Sequence, residues 1–240
     1  MNLDFGPAAI EVGLCGGFEL ALSTLALTIL LESISLDTVR NLWTKQSGGR
    51  VLYWKGVAVN LFNHIVLGVP VYTIAVLFFC QALDHEPPKL GISLIRIASL
   101  ILIHNLCYFY VHRAFHEHSY YRFHKFHHQY HQWVPPSAAN AVSIVEYLVA
   151  YVLPFALAAL LLRPTPLELQ RAIGVLSVNN LLVHTPCLQH VSMWVEPYFV
   201  STRSHLEHHQ RLTVHYASPV WNVDYWLGSS STARNSHKED

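Results

Sequence analysis

Long apolar stretches constrain this 240-residue chain more than any other feature, because a membrane-spanning helix needs about 20 mostly apolar residues. Hydrophobic residues make up 52% of the chain and charged residues only 12%, about half the charged share of a typical soluble domain. Spanning helices are predicted over residues 8–31, 57–83, 91–111, 142–162 and 167–183. We therefore expect an all-α integral membrane helical bundle with four or five membrane helices.

The fifth stretch is the weakest of these predictions, because it is short and carries Arg171, Asn179 and Asn180. The break Arg163-Pro164-Thr165-Pro166 before it predicts a tight turn, so the fourth and fifth stretches form a helical hairpin. Such a hairpin, spanning or re-entrant, returns the chain to the face of the membrane that it left. Side chains that follow the third and the fifth stretches are therefore expected on one face.

Three histidine clusters lie at those two places, and imidazole is the commonest side-chain metal ligand. The first and last rings of each cluster are four residues apart, which places them on one helical face. The clusters supply eight rings: His112, His116, His124, His127, His128, His205, His208 and His209. Eight rings are too many for one tetrahedral zinc ion and suit two metal ions. Iron is favoured because paired irons can activate dioxygen, while the spacing alone also permits copper or zinc.

Composition argues against several other functions. The formal net charge of zero provides no basic surface for nucleic acid. The four cysteines are scattered, so neither a disulfide framework nor a thiolate metal site is expected. No phosphate-binding loop, dinucleotide fingerprint or Ser-His-Asp order stands out. An oxidising enzyme with this sequence would need an external electron donor.

Basic residues predict the orientation of the bundle, because short cytoplasmic loops are enriched in Lys and Arg. The connection between the first and second stretches carries Arg40, Lys45, Arg50 and Lys55. The next connection, residues 84–89, carries one basic residue against two acidic ones. The end of the third stretch, and with it the histidine clusters, is then expected to form a cytosolic histidine-rich cap.

The sequence around the clusters resembles the fatty acid hydroxylase and sterol desaturase superfamily of membrane di-iron oxygenases. Residues 110–116, 121–128 and 201–209 resemble the three histidine boxes of that superfamily, and the resemblance extends over about residues 91–229. It implies two iron ions (Fe²⁺/Fe³⁺), dioxygen and a lipophilic substrate from the bilayer. It also implies cytochrome b5 or a reductase as the electron donor, and a location in the endoplasmic reticulum.

The resemblance also implies a ninth ligand and exposes two departures. His184 matches a single histidine that the superfamily places between its second and third boxes. Many members have His-Pro-x-Glu after the second box, whereas this chain has Ser143-Ile144-Val145-Glu146 and keeps only the glutamate. Asn105 stands where an aspartate is common, and we expect it to accept a hydrogen bond from a ring N–H. These departures indicate a divergent member of the superfamily.

Other polar residues each have two interpretations. Arg113 is expected either to pair with a carboxylate near the clusters or to lie at the membrane interface. Glu207 is expected either to orient a neighbouring ring or to face solvent. His64 and His104 are expected to hydrogen-bond between helices rather than to line a substrate tunnel. Three further histidines are expected outside the coordination sphere: His118, His131 and His190.

These inferences combine into one prediction. Residues 1–90 form N-terminal membrane helices, 91–229 form the histidine-box domain and 230–240 form a disordered tail, all in one functional unit. The predicted function is a membrane-bound non-haem di-iron enzyme that hydroxylates or desaturates a fatty acyl, sterol or terpenoid-like substrate. Its metal ligands are the nine histidines, and no other catalytic residue is predicted. Two alternatives stay open: a non-catalytic metal-binding membrane protein, and a catalytically degenerate member of the superfamily.

Overall fold

The computed structural model describes residues 6–81, 88–217 and 219–229. Within those ranges the chain is helical and contains no strand, apart from an isolated bridge between Phe199 and Trp221. The predicted disordered tail, residues 230–240, lies outside the described residues. The expected all-α architecture is confirmed.

Eight helices organise the described part of the chain. In order they are α1 (Pro7–Ile34), α2 (Leu36–Lys45), α3 (Gly49–Phe79), α4 (Leu90–Phe115), α5 (Ile144–Leu162), α6 (Pro166–Val183), α7 (Thr202–Arg211) and α8 (Val223–Leu227). Two of them contain a π-helical stretch, at Asn63–Gly68 in α3 and Tyr147–Val152 in α5. Shorter helical turns lie at Tyr121–His124, His127–Gln129, Pro136–Asn140, Pro186–Leu188, Gln189–Ser192 and Met193–Val195.

Four helices, α1, α3, α4 and α5, are long and apolar enough to cross a membrane. The helix that contains the second predicted span begins eight residues before it, at Gly49, directly after Gly48 in a left-handed conformation with φ of 70°. This helix ends at Phe79. With four helices of this kind, the chain is an integral membrane protein. The basic connection between the first two spans is partly helical, because it contains α2.

Helix α6 completes the bundle although it is not among the four candidate spans. It begins with a capping box, in which Thr165 Oγ1 accepts a hydrogen bond from Glu168 N at 3.2 Å and Glu168 Oε2 accepts one from Thr165 N at 2.8 Å. The helix packs against α1 and α4. The predicted helical hairpin is thus present, and it returns the chain to the end of the bundle at which α4 finishes.

Close contact between α1 and α3 depends on small residues. A Cβ atom on Gly13 would lie 2.9 Å from Thr73 Cα, and one on Gly16 would lie 2.7 Å from Tyr72 Cε1. Helices in lipid associate mainly by such close packing, because lipid tails are as apolar as the side chains they replace.

We expect Gly13→Leu to destabilise the bundle by about 1–3 kcal/mol, because the added side chain collides with the α3 backbone. Thermal unfolding of the purified protein measures the effect. Cys15→Leu is the matched control, because Cys15 is an exposed position on the same helix. Equal unfolding temperatures for the two variants would show that α1 and α3 do not pack this way.

Asparagine side chains fix the segment between the second histidine box and α5. Asn60 Nδ2 donates to Ser137 O at 2.9 Å, and Asn63 Nδ2 donates to Asn140 O at 3.0 Å. Both asparagines are buried, so their hydrogen bonds satisfy backbone carbonyls of the segment that would otherwise bind water. The segment is thereby held between α3 and the histidine end of the bundle.

The basic segment of α2 and α3 lies at this same end. Gln46 Nε2 donates to Gln129 O at 3.0 Å, next to the second histidine box. The ammonium groups of Lys45 and Lys55 lie 5.0 Å and 4.9 Å from the ring centroids of Trp133 and Phe126. The cationic residues that set the predicted orientation and the histidine boxes therefore share one end of the molecule.

Candidate metal centre

Nine histidine rings converge at this end of the bundle in two groups, and the ligand nitrogens of each group lie within 4.8 Å of one another. The five-histidine group consists of His112, His116, His124, His128 and His208. The four-histidine group consists of His127, His184, His205 and His209. These are the nine residues singled out from the sequence, and the structure brings all of them together.

Three chain segments build the five-histidine group. His112 and His116 lie one turn apart at the end of α4, with ring centroids 5.1 Å apart. His124 Nε2 lies 2.9 Å from His112 Nε2 and 2.8 Å from His128 Nε2. His208, from α7, closes the group with its ring centroid 4.7 Å from those of His112 and His116.

The four-histidine group joins the second box to the ends of α6 and α7. His184 is the residue at which α6 ends, and its Nε2 lies 2.9 Å from His205 Nε2 and 3.4 Å from His127 Nε2. The rings of His127 and His209 have centroids 4.6 Å apart. The single histidine implied by the family resemblance therefore lies within this group.

The two groups lie side by side because adjacent residues are divided between them. His127 belongs to one group and His128 to the other, and the same holds for His209 and His208. The ring centroids of His128 and His209 are 4.8 Å apart across the boundary. Metal ions held by the two groups would therefore be neighbours.

Hydrogen bonds to the outer nitrogen fix the orientation of several rings. A carbonyl oxygen can only accept, so a ring Nδ1 that faces one must carry the proton, and Nε2 of a neutral ring then carries a lone pair. The pairs, with their N to O distances, are His112 with Tyr216 (2.9 Å), His184 with Asn180 (2.6 Å) and His208 with Val214 (2.7 Å).

The buried carboxyl group of Glu146 orients His124. Its Oε1 forms a hydrogen bond with His124 Nδ1 at 2.6 Å, and both side chains are at most 1% exposed. Ser143 Oγ accepts a hydrogen bond from Glu146 N at 3.1 Å and donates to Phe123 O at 2.7 Å, so it ties the first turn of α5 to the second box. Ser143 and Glu146 thus orient His124 from outside the cluster.

Burial keeps the rings neutral. Burial, with a further contribution from His208, lowers the pKa of His116 to about 3, and burial lowers the pKa of His184 to about 4. Burial, followed by the proximity of other rings, holds the pKa of the remaining rings outside α4 well below its ordinary value: His124, His127, His128, His205, His208 and His209. Neutral imidazole is the form that binds metal.

The residues present fit metal ions. The His112 and His184 rings carry their proton on Nδ1, so each presents an Nε2 lone pair to another ring nitrogen, His124 Nε2 and His205 Nε2 respectively, both at 2.9 Å. Within each group the ligand nitrogens lie within 4.8 Å of one another, close enough to bind one ion. When two metal–nitrogen bonds of about 2.0–2.1 Å meet at a right angle, the two nitrogens lie about 3 Å apart. Further buried ring nitrogens, including His208 Nε2 and His209 Nε2, have no hydrogen-bond partner among the described residues.

A cavity of about 260 Å³ lies inside the bundle, and two of its lining residues, Tyr108 and Asn180, contact histidines of this centre. Its wall includes Tyr108, whose ring centroid lies 5.0 Å from that of His112. It also includes Asn180, whose carbonyl accepts the His184 hydrogen bond. The wall extends along α6 to Leu169, eleven residues from Asn180 and therefore about 16 Å further along the helix axis. The cavity is thus a long, mostly apolar passage.

A family model for fatty acid hydroxylase matches residues 97–229, more than half of the chain. The chain belongs to the fatty acid hydroxylase family. Comparisons with curated proteins and with solved structures give no match. The family assignment explains the three histidine boxes and their position at the end of membrane helices, and it confirms the superfamily indicated by the sequence.

The two departures from the fatty acid hydroxylase pattern have different outcomes. Glu146 is retained and contacts His124. The expectation for Asn105 is wrong, because its Nδ2 donates to Ile101 O at 2.7 Å and its Oδ1 accepts from Trp221 N at 3.0 Å. Asn105 lies seven residues before His112, too far along α4 to reach the ring, and it instead connects α4 to the segment before α8.

The other polar residues considered in the sequence are Arg113, Glu207 and the histidines outside the two groups. Arg113 is exposed, in agreement with the interface interpretation. Glu207 contacts Arg211 at 2.6 Å and His215 at 3.4 Å rather than one of the nine rings. His104 forms a hydrogen bond with the backbone of Tyr151 on α5, in agreement with the interpretation of a bond between helices, and both His104 and His64 also line the cavity. Three histidines are exposed and belong to neither group: His118, His131 and His190.

Sequence reasoning did not find the groups that act through their backbone. The Tyr216 carbonyl orients His112, and Asp224 holds the segment that carries this carbonyl. Asp224 Oδ2 accepts a hydrogen bond from Ala217 N at 2.5 Å, and Asp224 Oδ1 accepts one from Ser229 Oγ at 2.6 Å. A signal existed, since residues 215–229 belong to the stretch over which the sequence resembles the superfamily. That signal marked the segment but gave no indication that its carbonyl contacts a histidine.

Proposed function

We propose that this protein is a membrane-bound non-haem di-iron oxidoreductase that hydroxylates or desaturates a lipophilic substrate. It would use dioxygen and electrons from an external donor. The observation that carries the proposal is the convergence of nine buried histidine rings in two adjacent groups, each with its ligand nitrogens within 4.8 Å of one another. Membership of the fatty acid hydroxylase family supports the choice of reaction class.

Each histidine group would hold one iron ion. Imidazole is a suitable ligand for iron, and both the divalent and the trivalent ion suit a site with several nitrogen ligands. When bound, the pair of irons supplies the activation of dioxygen and the removal of hydrogen from an unactivated carbon. The family assignment favours iron over copper or zinc.

The protein's own residues orient the ligands and exclude water. Three backbone carbonyls hold ring protons on Nδ1, which keeps Nε2 free to bind metal before substrate arrives, and Glu146 orients His124. Burial of the rings leaves little space for bulk water beside the reacting carbon. An apolar substrate in the cavity would lie with one end against Tyr108, whose ring is next to His112.

The surroundings support the proposed partners and location. Basic residues of α2 and α3 share the histidine end of the bundle, which by the positive-inside rule favours a cytosolic centre. A cytosolic centre is open to a separate electron donor, for which cytochrome b5 or a reductase is our proposal. By family resemblance we propose the endoplasmic reticulum as the membrane. We keep residues 1–90 and 91–229 as parts of one functional unit.

Iron content and product formation test the proposal together. Full-length protein purified from membranes should contain about two irons per chain by elemental analysis. A host that expresses it should make a new lipid, absent from the empty host, only in the presence of oxygen. Growth under ¹⁸O₂ separates the two reactions, because hydroxylation labels the product and desaturation does not.

Each alternative predicts a different result. A degenerate family member would bind metal poorly and form no product. A non-catalytic metal-binding protein would contain metal, with an unchanged lipid profile in the host. Transport is disfavoured in advance, because the histidine groups lie at helix ends whereas transporters bind their ions near the bilayer midplane.

A further inference from the structure

Two histidines outside the nine line the cavity, and each has one buried ring nitrogen without a partner among the described residues. His104 is 2% exposed, and its Nδ1 makes no hydrogen bond within the described part of the chain. The same is true of the buried Nε2 of His64. Both residues belong to the cavity wall. Because a buried polar atom without a partner costs free energy, such a pair indicates a ligand that supplies the missing bonds.

The position of His104 relative to the metal centre is fixed by α4. His104, Tyr108 and His112 lie on one face of the helix at intervals of four residues, with ring centroids 5.9 Å and 5.0 Å apart in turn. His104 is eight residues from His112, which corresponds to about 12 Å along the helix axis. A group bound at His104 would therefore lie deep in the bundle, well separated from the reacting carbon.

The helix that carries His64 is distorted at this point. His64 lies in the π-helical stretch Asn63–Gly68 of α3, and a second π-helical stretch, Tyr147–Val152 of α5, contributes Tyr147 and Tyr151 to the same wall. A π-helical insertion rotates side chains relative to a regular helix, and such insertions are frequent at functional sites. The polar part of the cavity is thus built by local departures from regular geometry.

We propose that His64 and His104 recognise the hydroxyl group of a lipid alcohol and thereby select which carbon of the chain reaches the metal centre. A neutral imidazole offers one donor and one acceptor, and a hydroxyl can satisfy either nitrogen because it donates and accepts. This inference rests on the proposed function, since it takes the histidine groups as the place of oxidation.

A charged headgroup does not fit this part of the cavity. No Lys, Arg, Asp or Glu lines the cavity among the described residues. A carboxylate or phosphate would therefore lose its hydration without a counter-charge, which is far more costly than burying a neutral hydroxyl. The remaining lining is mostly aliphatic and aromatic, which suits the hydrocarbon part of the same molecule.

Binding of three matched probes tests the inference without requiring turnover. Full-length protein in detergent micelles is titrated with tritiated hexadecan-1-ol, and unlabelled hexadecane and 1-methoxyhexadecane are used as competitors, with empty micelles as the blank. We expect the alcohol to bind about tenfold more tightly than hexadecane, the difference that one buried hydrogen bond provides. The methyl ether, which only accepts, should fall between them.

Variants then assign the preference to the two rings. His64→Phe combined with His104→Phe should bind hexadecane as before and lose the preference for the alcohol. Gln at both positions, which retains hydrogen-bonding groups, should keep part of it. His190→Phe is the matched control, because His190 is exposed and outside the cavity wall.

Two results would overturn the inference: equal affinity of the wild-type protein for alcohol and alkane, or a preference that survives in the double phenylalanine variant. The first comparison uses only the wild-type chain and therefore stands even if the variants fail to fold. Iron content measured on the same samples reports separately on the proposed function.

Discussion

Replacing either His127 or His128 with alanine is expected to reduce the metal content from about two ions per chain to about one. Each variant should also lower product formation by more than about a hundredfold, because removing even an outer partner of a metal ligand costs 10–100-fold. His127 and His128 are adjacent in sequence but belong to different groups. The same loss from both positions would therefore show that both ions are needed. Elemental analysis and lipid profiling of the host provide the two measurements.

The matched control for these variants is His131→Ala, an exposed histidine of the same segment that belongs to neither group. It should leave metal content and product unchanged. All three variants should remain in the membrane, because the spanning helices are untouched. Normal turnover by His127→Ala would refute its assignment as a ligand, and loss of both ions from either variant would show that the groups do not load independently.

Glu146→Ala is expected to weaken metal binding at the five-histidine group by about 10–100-fold. The variant removes the carboxyl group that forms a hydrogen bond with His124 Nδ1, so the His124 ring is no longer held in one orientation. Metal content measured across a range of chelator concentrations gives the affinity. Glu146→Gln should recover part of the loss, because the amide oxygen can still accept the hydrogen bond.

Glu117→Ala serves as the control for this substitution, because Glu117 is an exposed glutamate that follows α4. The four-histidine group should keep its ion in Glu146→Ala, since Glu146 contacts only the other group among the described residues. A uniform loss of both ions would indicate general misfolding instead. Unchanged affinity in Glu146→Ala would show that the contact with His124 has no role in metal binding.

The spanning helices were predictable because hydropathy acts over a whole helix. Each predicted span overlaps an observed helix, and the weakest one, with Arg171 and two asparagines, is the helix α6 that lies beside α1 and α4. The start of α3 was not predictable from hydropathy, because its first turns carry Arg50 and Lys55. Those side chains extend beyond the apolar layer, so the helix continues where the apolar pattern has already stopped.

The site was predictable where its chemistry depends on histidine side chains, because histidine is unusually frequent in these segments. Histidines at intervals of four residues are easily recognised in a sequence. In the structure all nine lie in the two groups, although their assignment as ligands stays a prediction. The carbonyls of Val214 and Tyr216 are not recognisable in this way, because every residue has a carbonyl. The roles of Asn105 and His104 depend on which helix lies opposite, which a single sequence does not specify.

The order of the histidines along the chain has a consequence for biosynthesis. The five-histidine group draws on α4 and on α7, which are separated by α5 and α6, and the carbonyls that orient His112 and His208 come later still. Neither ion can therefore be fully enclosed while the ribosome is still adding these residues. If the two groups hold iron as proposed, the helices enter the bilayer first and metal loading is a maturation step that follows translation.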